Sequence, residues 1–135
     1  MVQENLVAAQ NIKPLRDVNI GKYDELSTRE RIVLDIDGKE VGVYFEAGEI
    51  RAWLNVCPHG GGPVCQGQIM PRTVQDVRPG GKSGGLGHHP TERNIVCPWH
   101  GYEFGILSGE HPIKGDVKLI PVAVRVVDGD VVLSV

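Results

Sequence analysis

The sequence is poor in aromatic residues, in charge of one sign and in long apolar runs, and each shortage excludes a class of protein. Net charge is only −3, which gives no electrostatic reason to bind nucleic acid or an anionic membrane. No apolar run approaches the roughly 20 residues needed to span a bilayer. Residues 1–5 do not begin a basic segment followed by an apolar one, so no secretory signal is expected.

The abundant residues favour turns and short strands. Eighteen glycines and nine prolines in 135 residues are unfavourable for long helices, whereas aromatic residues make up only 5%. This length suits one domain with its own core, so residues 1–135 are predicted to form a single domain.

Two short motifs contain potential metal ligands. Cys57-Pro58-His59 and Cys97-Pro98-Trp99-His100 each offer one thiolate and one neutral imidazole within a tight turn. Two kinds of site use two sulfur and two nitrogen ligands. One is a Cys₂His₂ zinc site, and the other is a [2Fe–2S] cluster with both cysteines on one iron and both histidines on the other.

The neighbouring residues favour the cluster. Residues 57–63 (CPHGGGP) and 97–101 (CPWHG) resemble the two cluster-binding loops of Rieske proteins, C-x-H followed by C-P-x-H-G. Glycines after each histidine let backbone N–H groups approach the sulfur atoms. The resemblance implies that Cys57 and Cys97 bind one iron of a single [2Fe–2S] cluster, and that His59 and His100 bind the other. A zinc interaction module is the remote alternative.

Strands are predicted on both sides of the motifs. Apolar residues alternate with others in 32–36, 41–45 and 50–56, and Asp37-Gly38 marks a turn. Residues 117–127 and 131–135 are predicted to pair as a hairpin around Asp128-Gly129. Pro121 indicates an edge position or a bulge. Residues 1–26 are predicted to be an N-terminal extension with a first strand at 14–20.

The predicted fold class is therefore all-β. The resemblance covers roughly Arg31 to Val135 and implies an antiparallel β-sandwich with an inserted cluster-binding subdomain, here residues 57–104. Thirty-seven residues separate His59 from Cys97, more than twice the usual Rieske spacing. The excess, about 68–94, is rich in glycine and proline and is predicted to be a long, mobile loop. It is either a tolerated insertion or a docking element. A second metal site at His88-His89 is disfavoured, since no nearby carboxylate or cysteine completes it.

Three other residues could have a structural or a functional role. Cys65 has no partner for a disulfide once Cys57 and Cys97 are ligands, and is predicted to be a buried, reduced thiol in a reducing cytoplasm. A reactive thiol is the alternative. Trp53 is predicted to pack in the core, with a partner surface as the alternative. His111 is predicted to be an ordinary surface histidine.

The resemblance implies an electron carrier that is not itself a catalyst. Two neutral imidazoles in place of two thiolates remove negative charge, so the added electron is held more tightly than in an all-cysteine ferredoxin. We expect a ferredoxin component that delivers electrons from a reductase to a terminal oxygenase or related enzyme. The alternative is a small Rieske subunit of a multi-subunit oxidoreductase. His111 is the only histidine after the second motif, so the two-histidine, one-carboxylate iron site of oxygenase large subunits is not expected.

The residues after His100 predict a low reduction potential. High-potential Rieske proteins of cytochrome bc complexes have a serine two residues after the second ligand histidine and a tyrosine two residues later. Tyr102 and Phe104 stand at those positions here. Neither is expected to supply the short hydroxyl contact that stabilises the reduced cluster.

Overall fold

A computed structural model describes residues 15–77 and 83–135, with side chains described for 15–72 and 91–135. The described residues form antiparallel strands, a single turn of α-helix and a 3₁₀ turn at Val64–Gln66. The elements in chain order are β1 (Asp17–Lys22), α1 (Tyr23–Leu26), β2 (Arg31–Ile36), β3 (Lys39–Glu46), β4 (Glu49–Leu54), β5 (Gln68–Val77), β6 (Ser83–Val96), β7 (Glu103–Gly105), β8 (Ala123–Val127) and β9 (Asp130–Ser134).

The strands form three small sheets, which confirms the all-β prediction. Their orders are β1-β9-β8, β2-β3-β4 and β5-β6-β7, and every pairing is antiparallel. The first two sheets share a core that holds Val41 and Val43 of β3 together with Leu133 of β9. The third sheet contains β5 and β6, which lie between the two ligand motifs in the sequence, and β7, which follows the second motif. We refer to the first two sheets as the base.

Two-residue turns connect the strands of the base. Asp37-Gly38, Ala47-Gly48 and Asp128-Gly129 have positive φ at both positions, between 49° and 86°. Paired left-handed residues are typical of the type I′ turn, whose twist matches that of a hairpin. The turns predicted at Asp37-Gly38 and Asp128-Gly129 are therefore confirmed.

The segment predicted to be a long loop is a β-hairpin in the described residues, so that prediction was wrong. β5 and β6 pair from Gln68↔Val96 outward to Val77↔Ser83. The glycine and proline content of this segment means that few of its side chains can be buried. The hydrogen bonds between the two strands need only backbone atoms, so the strands form all the same. Pro71 lies where the register shifts, so its missing N–H breaks no regular ladder. Residues 78–82 and the side chains of His88 and His89 lie outside the described part.

Two strand boundaries also differ from the prediction. The first strand is Asp17–Lys22, and residues 1–14 lie outside the described part. The strand predicted at 117–127 begins only at Ala123, and before it the chain makes isolated bridges, including Trp53↔Pro121. Among the described residues, no helix is long and apolar enough to cross a membrane.

Candidate metal centre

The two ligand motifs fold into turns with the same hydrogen bonds. The N–H of Cys57 donates to the carbonyl of Gly62, five residues later, at 2.7 Å, and the N–H of Cys97 donates to that of Tyr102, also five residues later, at 2.7 Å. The residue four positions after each cysteine is a glycine, with φ of 80° and 72°, which donates back to the cysteine carbonyl. A left-handed residue is required there, and glycine adopts it without strain.

The cysteine side chains of the two turns meet in the core. Cys57 and Cys97 are 2% and 1% exposed, and the two thiols are close enough for Cys97 to affect the pKa of Cys57. Burial is the main effect that raises the pKa of the Cys57 thiol, and the Cys97 thiol adds to it. The backbone N–H groups of His59 and Gly60 lower the pKa of the same thiol. The backbone of the first turn thus favours the thiolate form of Cys57, which is the form that binds iron.

The two imidazole rings lie next to each other and are exposed. The ring centroids of His59 and His100 are 4.9 Å apart, with the ring planes at 87°. Gly62 lies close beneath the second turn, where a Cβ atom would be 2.8 Å from the Trp99 ring and 3.2 Å from the Cys97 sulfur. A side chain at Gly62 would have to displace Trp99, so this close approach of the turns needs glycine.

Tyr102 and His111 extend the site in a way that the sequence did not indicate. The rings of His59 and Tyr102 stack, with centroids 3.8 Å apart and planes at 18°. Tyr102 also contacts the half-buried His111, at 5.2 Å and 55°. The prediction that His111 is an ordinary surface residue was therefore wrong. Nothing in the local sequence links positions 59, 102 and 111, because only the folded chain brings them together.

Cys65 lies beneath the first turn and confirms the prediction of a buried, free thiol. Its backbone N–H donates to Oδ1 of Asn55 at 2.7 Å, and its sulfur lies 3.6 Å from the carbonyl oxygen of Trp53. Burial raises the pKa of this thiol to about 11. Asn55, which the sequence analysis missed, is 4% exposed, and its Nδ2 has no hydrogen-bond partner among the described residues.

Trp53 packs in the core, as predicted. It is 6% exposed, its indole N–H donates to the carbonyl of Ile106 at 3.0 Å, and its ring lies against Gly109. A Cβ at Gly109 would be 2.6 Å from the indole ring.

The four predicted ligand residues form two pairs: thiol with thiol, and ring with ring. Where side chains are described, no three His, Cys, Asp or Glu side chains converge as they would around one metal ion. A tetrahedral zinc site needs all four ligands around one ion. A [2Fe–2S] cluster with sulfur ligands on one iron and nitrogen ligands on the other uses two separate pairs. The donor set therefore fits the cluster better than a single ion.

Comparisons with known proteins agree with this donor set. The family model for the Rieske [2Fe-2S] domain matches residues 17–126. A human Rieske domain-containing protein is 31% identical over 93 residues, which are 69% of this chain and 48% of the human protein. The chain thus spans about half the length of that relative. The ferredoxin component of the naphthalene 1,2-dioxygenase/salicylate 5-hydroxylase systems of Ralstonia sp. is 24% identical over 105 residues, covering 76% of this chain and 81% of that protein.

Solved structures share the fold. The ferredoxin of carbazole 1,9a-dioxygenase from Nocardioides aromaticivorans superposes with a TM-score of 0.58 at 18% identity, over 87% of this chain and 95% of that one. A quaternary ammonium Rieske monooxygenase superposes with a TM-score of 0.60 at 21% identity, over 96% of this chain but only 34% of the other. This chain therefore corresponds in fold to a whole small ferredoxin and to one part of a larger oxygenase.

Proposed function

The chain belongs to the Rieske [2Fe-2S] domain family, and on that premise we propose that it is a ferredoxin that passes single electrons from a reductase to an oxygenase or a related enzyme. Members of this family carry a [2Fe–2S] cluster, which is therefore the cofactor. We assign Cys57 and Cys97 to one iron, and His59 and His100 to the other.

The observation that carries this proposal is that buried thiols lie beside exposed imidazoles. Cys57 and Cys97 are almost fully buried, whereas His59 and His100 are exposed. When bound, the cluster supplies one reversible electron-accepting centre. The buried thiols would hold it away from water, and the exposed rings would give an electron a short route to a docked protein.

The similarity to a protein named as a ferredoxin component supports the carrier proposal. The match to the Ralstonia protein, named as a ferredoxin component, extends over 81% of that protein. We also propose that the protein acts in the cytoplasm, where reductants would keep Cys65 from oxidation, and Cys57 and Cys97 as well until they bind the cluster.

The test begins with the purified protein, with its cluster reconstituted without oxygen. We expect a coloured protein that gains the EPR signal of a Rieske cluster when dithionite adds one electron. His59→Ala should lose this signal, whereas Lys114→Ala, at an exposed position outside the two motifs, should retain it. A stable, fully loaded Rieske cluster in the His59→Ala protein would contradict the ligand assignment.

The second stage tests the carrier function. Stopped-flow mixing of the reduced protein with an oxidised terminal oxygenase should reoxidise it, and the protein alone should turn over no substrate with oxygen. Native co-purification then separates a free carrier from a fixed subunit. A complex that stays intact through size exclusion would favour the small-subunit alternative.

A further inference from the structure

The two candidate ligand histidines have different neighbours. His59, from the first turn, stacks on Tyr102 of the second turn at 3.8 Å. His100 lies over Gly60 of the first turn, where a Cβ would be 3.5 Å from its Cε1. An aromatic ring thus supports one imidazole, whereas glycine backbone lies beneath the other. The stack restricts rotation of the His59 ring about its side-chain bonds, because the ring can leave this position only by giving up the contact.

Tyr102 is itself held in place. Its carbonyl accepts the hydrogen bond from Cys97 that closes the second turn, and its half-buried ring packs against the core that contains both cysteines. His111 contacts the same ring at 5.2 Å. His59 therefore rests on a side chain that is fixed to the opposite loop and to the core.

His111 is fixed in turn by its own loop. Its Nδ1 accepts the backbone N–H groups of Ile113 at 3.1 Å and Lys114 at 3.0 Å. The fully buried Phe104 lies edge-on to its ring, with centroids 6.1 Å apart. A chain of ring contacts thus runs from the core through Phe104, His111 and Tyr102 to His59.

We propose that Tyr102 and His111 are positioning residues that hold the His59 imidazole in a single orientation at the cluster. The proposal rests on the assignment of His59 as an iron ligand. Second-layer contacts of this kind orient metal-bound histidines and tune the metal centre. His111 acts through Tyr102, because the ring of Tyr102 contacts both His111 and His59.

The test separates the ring contacts from the hydrogen bonds. Tyr102→Phe keeps the stacking ring, and Tyr102→Leu removes it. His111→Phe keeps a ring but loses the Nδ1 acceptor, whereas His111→Asn keeps an acceptor for the loop N–H groups but removes the ring. The readouts are the EPR g values and line widths of the dithionite-reduced protein, its midpoint potential, and the rate of iron loss to a chelator.

We expect Tyr102→Leu and His111→Asn to broaden the EPR signal and to release iron about two- to tenfold faster, as loss of one aromatic pair implies. In Tyr102→Leu the midpoint potential should also rise, because water would then contact the face of the His59 ring that Tyr102 covers and would stabilise the more negative, reduced cluster. Tyr102→Phe and His111→Phe should resemble the wild type. In a protein that already carries Tyr102→Leu, His111→Asn should cause no further EPR broadening and no faster iron release.

Three results would overturn the proposal. One is a Tyr102→Leu protein with the EPR signal, midpoint potential and iron release of the wild type. Another is a His111→Asn protein that behaves as the wild type while His111→Phe does not, which would mean that His111 only holds its own loop. The third is additive effects in the double variant, which would show that His111 does not act through Tyr102. A wild-type protein without a Rieske EPR signal would instead contradict the proposed function.

Discussion

The backbone N–H of Cys65 donates to the side-chain oxygen of Asn55 at 2.7 Å, and both residues are buried. Asn55 lies two residues before Cys57, and Cys65 lies eight residues after it, so this one hydrogen bond closes the segment that holds Cys57 and His59. A backbone hydrogen bond from Asn55 to the carbonyl of Glu40, at 2.9 Å, fixes the same point to β3. The first turn is thus braced by hydrogen bonds at both of its ends.

Asn55→Ala should therefore destabilise the first turn. It leaves the buried N–H of Cys65 without an acceptor, at a cost of about 1–3 kcal/mol in the free energy of unfolding. The loss should lie toward the lower end, because the substitution also removes the unpartnered Nδ2. Urea unfolding of the cluster-loaded protein, followed by visible absorbance, measures the effect. Cys65→Ala is the matched control, since it keeps the backbone N–H and its hydrogen bond; an equal loss in both variants would point to the thiol instead.

Cys65 should make the protein less stable in alkali. Burial raises the pKa of its thiol from the ordinary value of 9.0 to about 11, so the folded protein keeps a proton that the unfolded chain releases. This contribution to stability is fully present below about pH 9 and is lost as the pH rises towards about 11. The urea midpoint of Cys65→Ala should fall less over that interval than that of the wild type. Some loss should remain, because burial also raises the pKa of Tyr44. Parallel pH profiles for the two proteins would contradict this prediction.

Arg93 should stabilise the junction between the hairpin and the base. Its guanidinium donates to both carboxylate oxygens of Glu46, at 2.6–3.2 Å, and to Glu30 at 2.8 Å. Since the Glu46 side chain is only 11% exposed, Arg93→Met should lower the free energy of unfolding by about 1–2 kcal/mol. Arg72→Met breaks a single exposed contact with Glu92 at 3.3 Å and should cost less than about 1 kcal/mol. Equal losses of stability in Arg93→Met and Arg72→Met would show that the ion pair between Arg93 of β6 and Glu46 of β3 does not stabilise the fold.

The midpoint potential should be low for a Rieske cluster, roughly −150 to −50 mV. The Tyr102 ring stacks on His59, and Phe104 is fully buried without a hydroxyl. Direct electrochemistry of the wild type at neutral pH tests this, and a potential well above zero would contradict it. Phe104→Tyr should raise the potential, since a hydroxyl that donates to a thiolate sulfur stabilises the reduced cluster. Phe104→Leu adds no hydroxyl and should leave the potential unraised.

The sequence predicted what depends on local pattern. Asp37-Gly38 and Asp128-Gly129 form turns because aspartate and glycine tolerate the left-handed backbone conformation that these turns need. The strands beside them pair as expected. The stack of His59 on Tyr102 and the bond from Cys65 to Asn55 depend on packing between distant segments, which no local pattern encodes. The hairpin was missed for a different reason. Its glycine and proline content indicates only that few side chains can be buried, whereas the two strands are joined by backbone hydrogen bonds.

The hairpin of β5 and β6 also bears on how the protein acquires its iron. Cys57 and Cys97 are forty positions apart in the chain, and in an unfolded chain their meeting must overcome the entropy of closing a large loop. Because Gln68 pairs with Val96, formation of the hairpin brings the two ligand turns together through contacts between β5 and β6 alone. Hairpins form within about 1–10 μs. The folded chain should therefore present both cysteines together to the iron that it binds, before any iron is present.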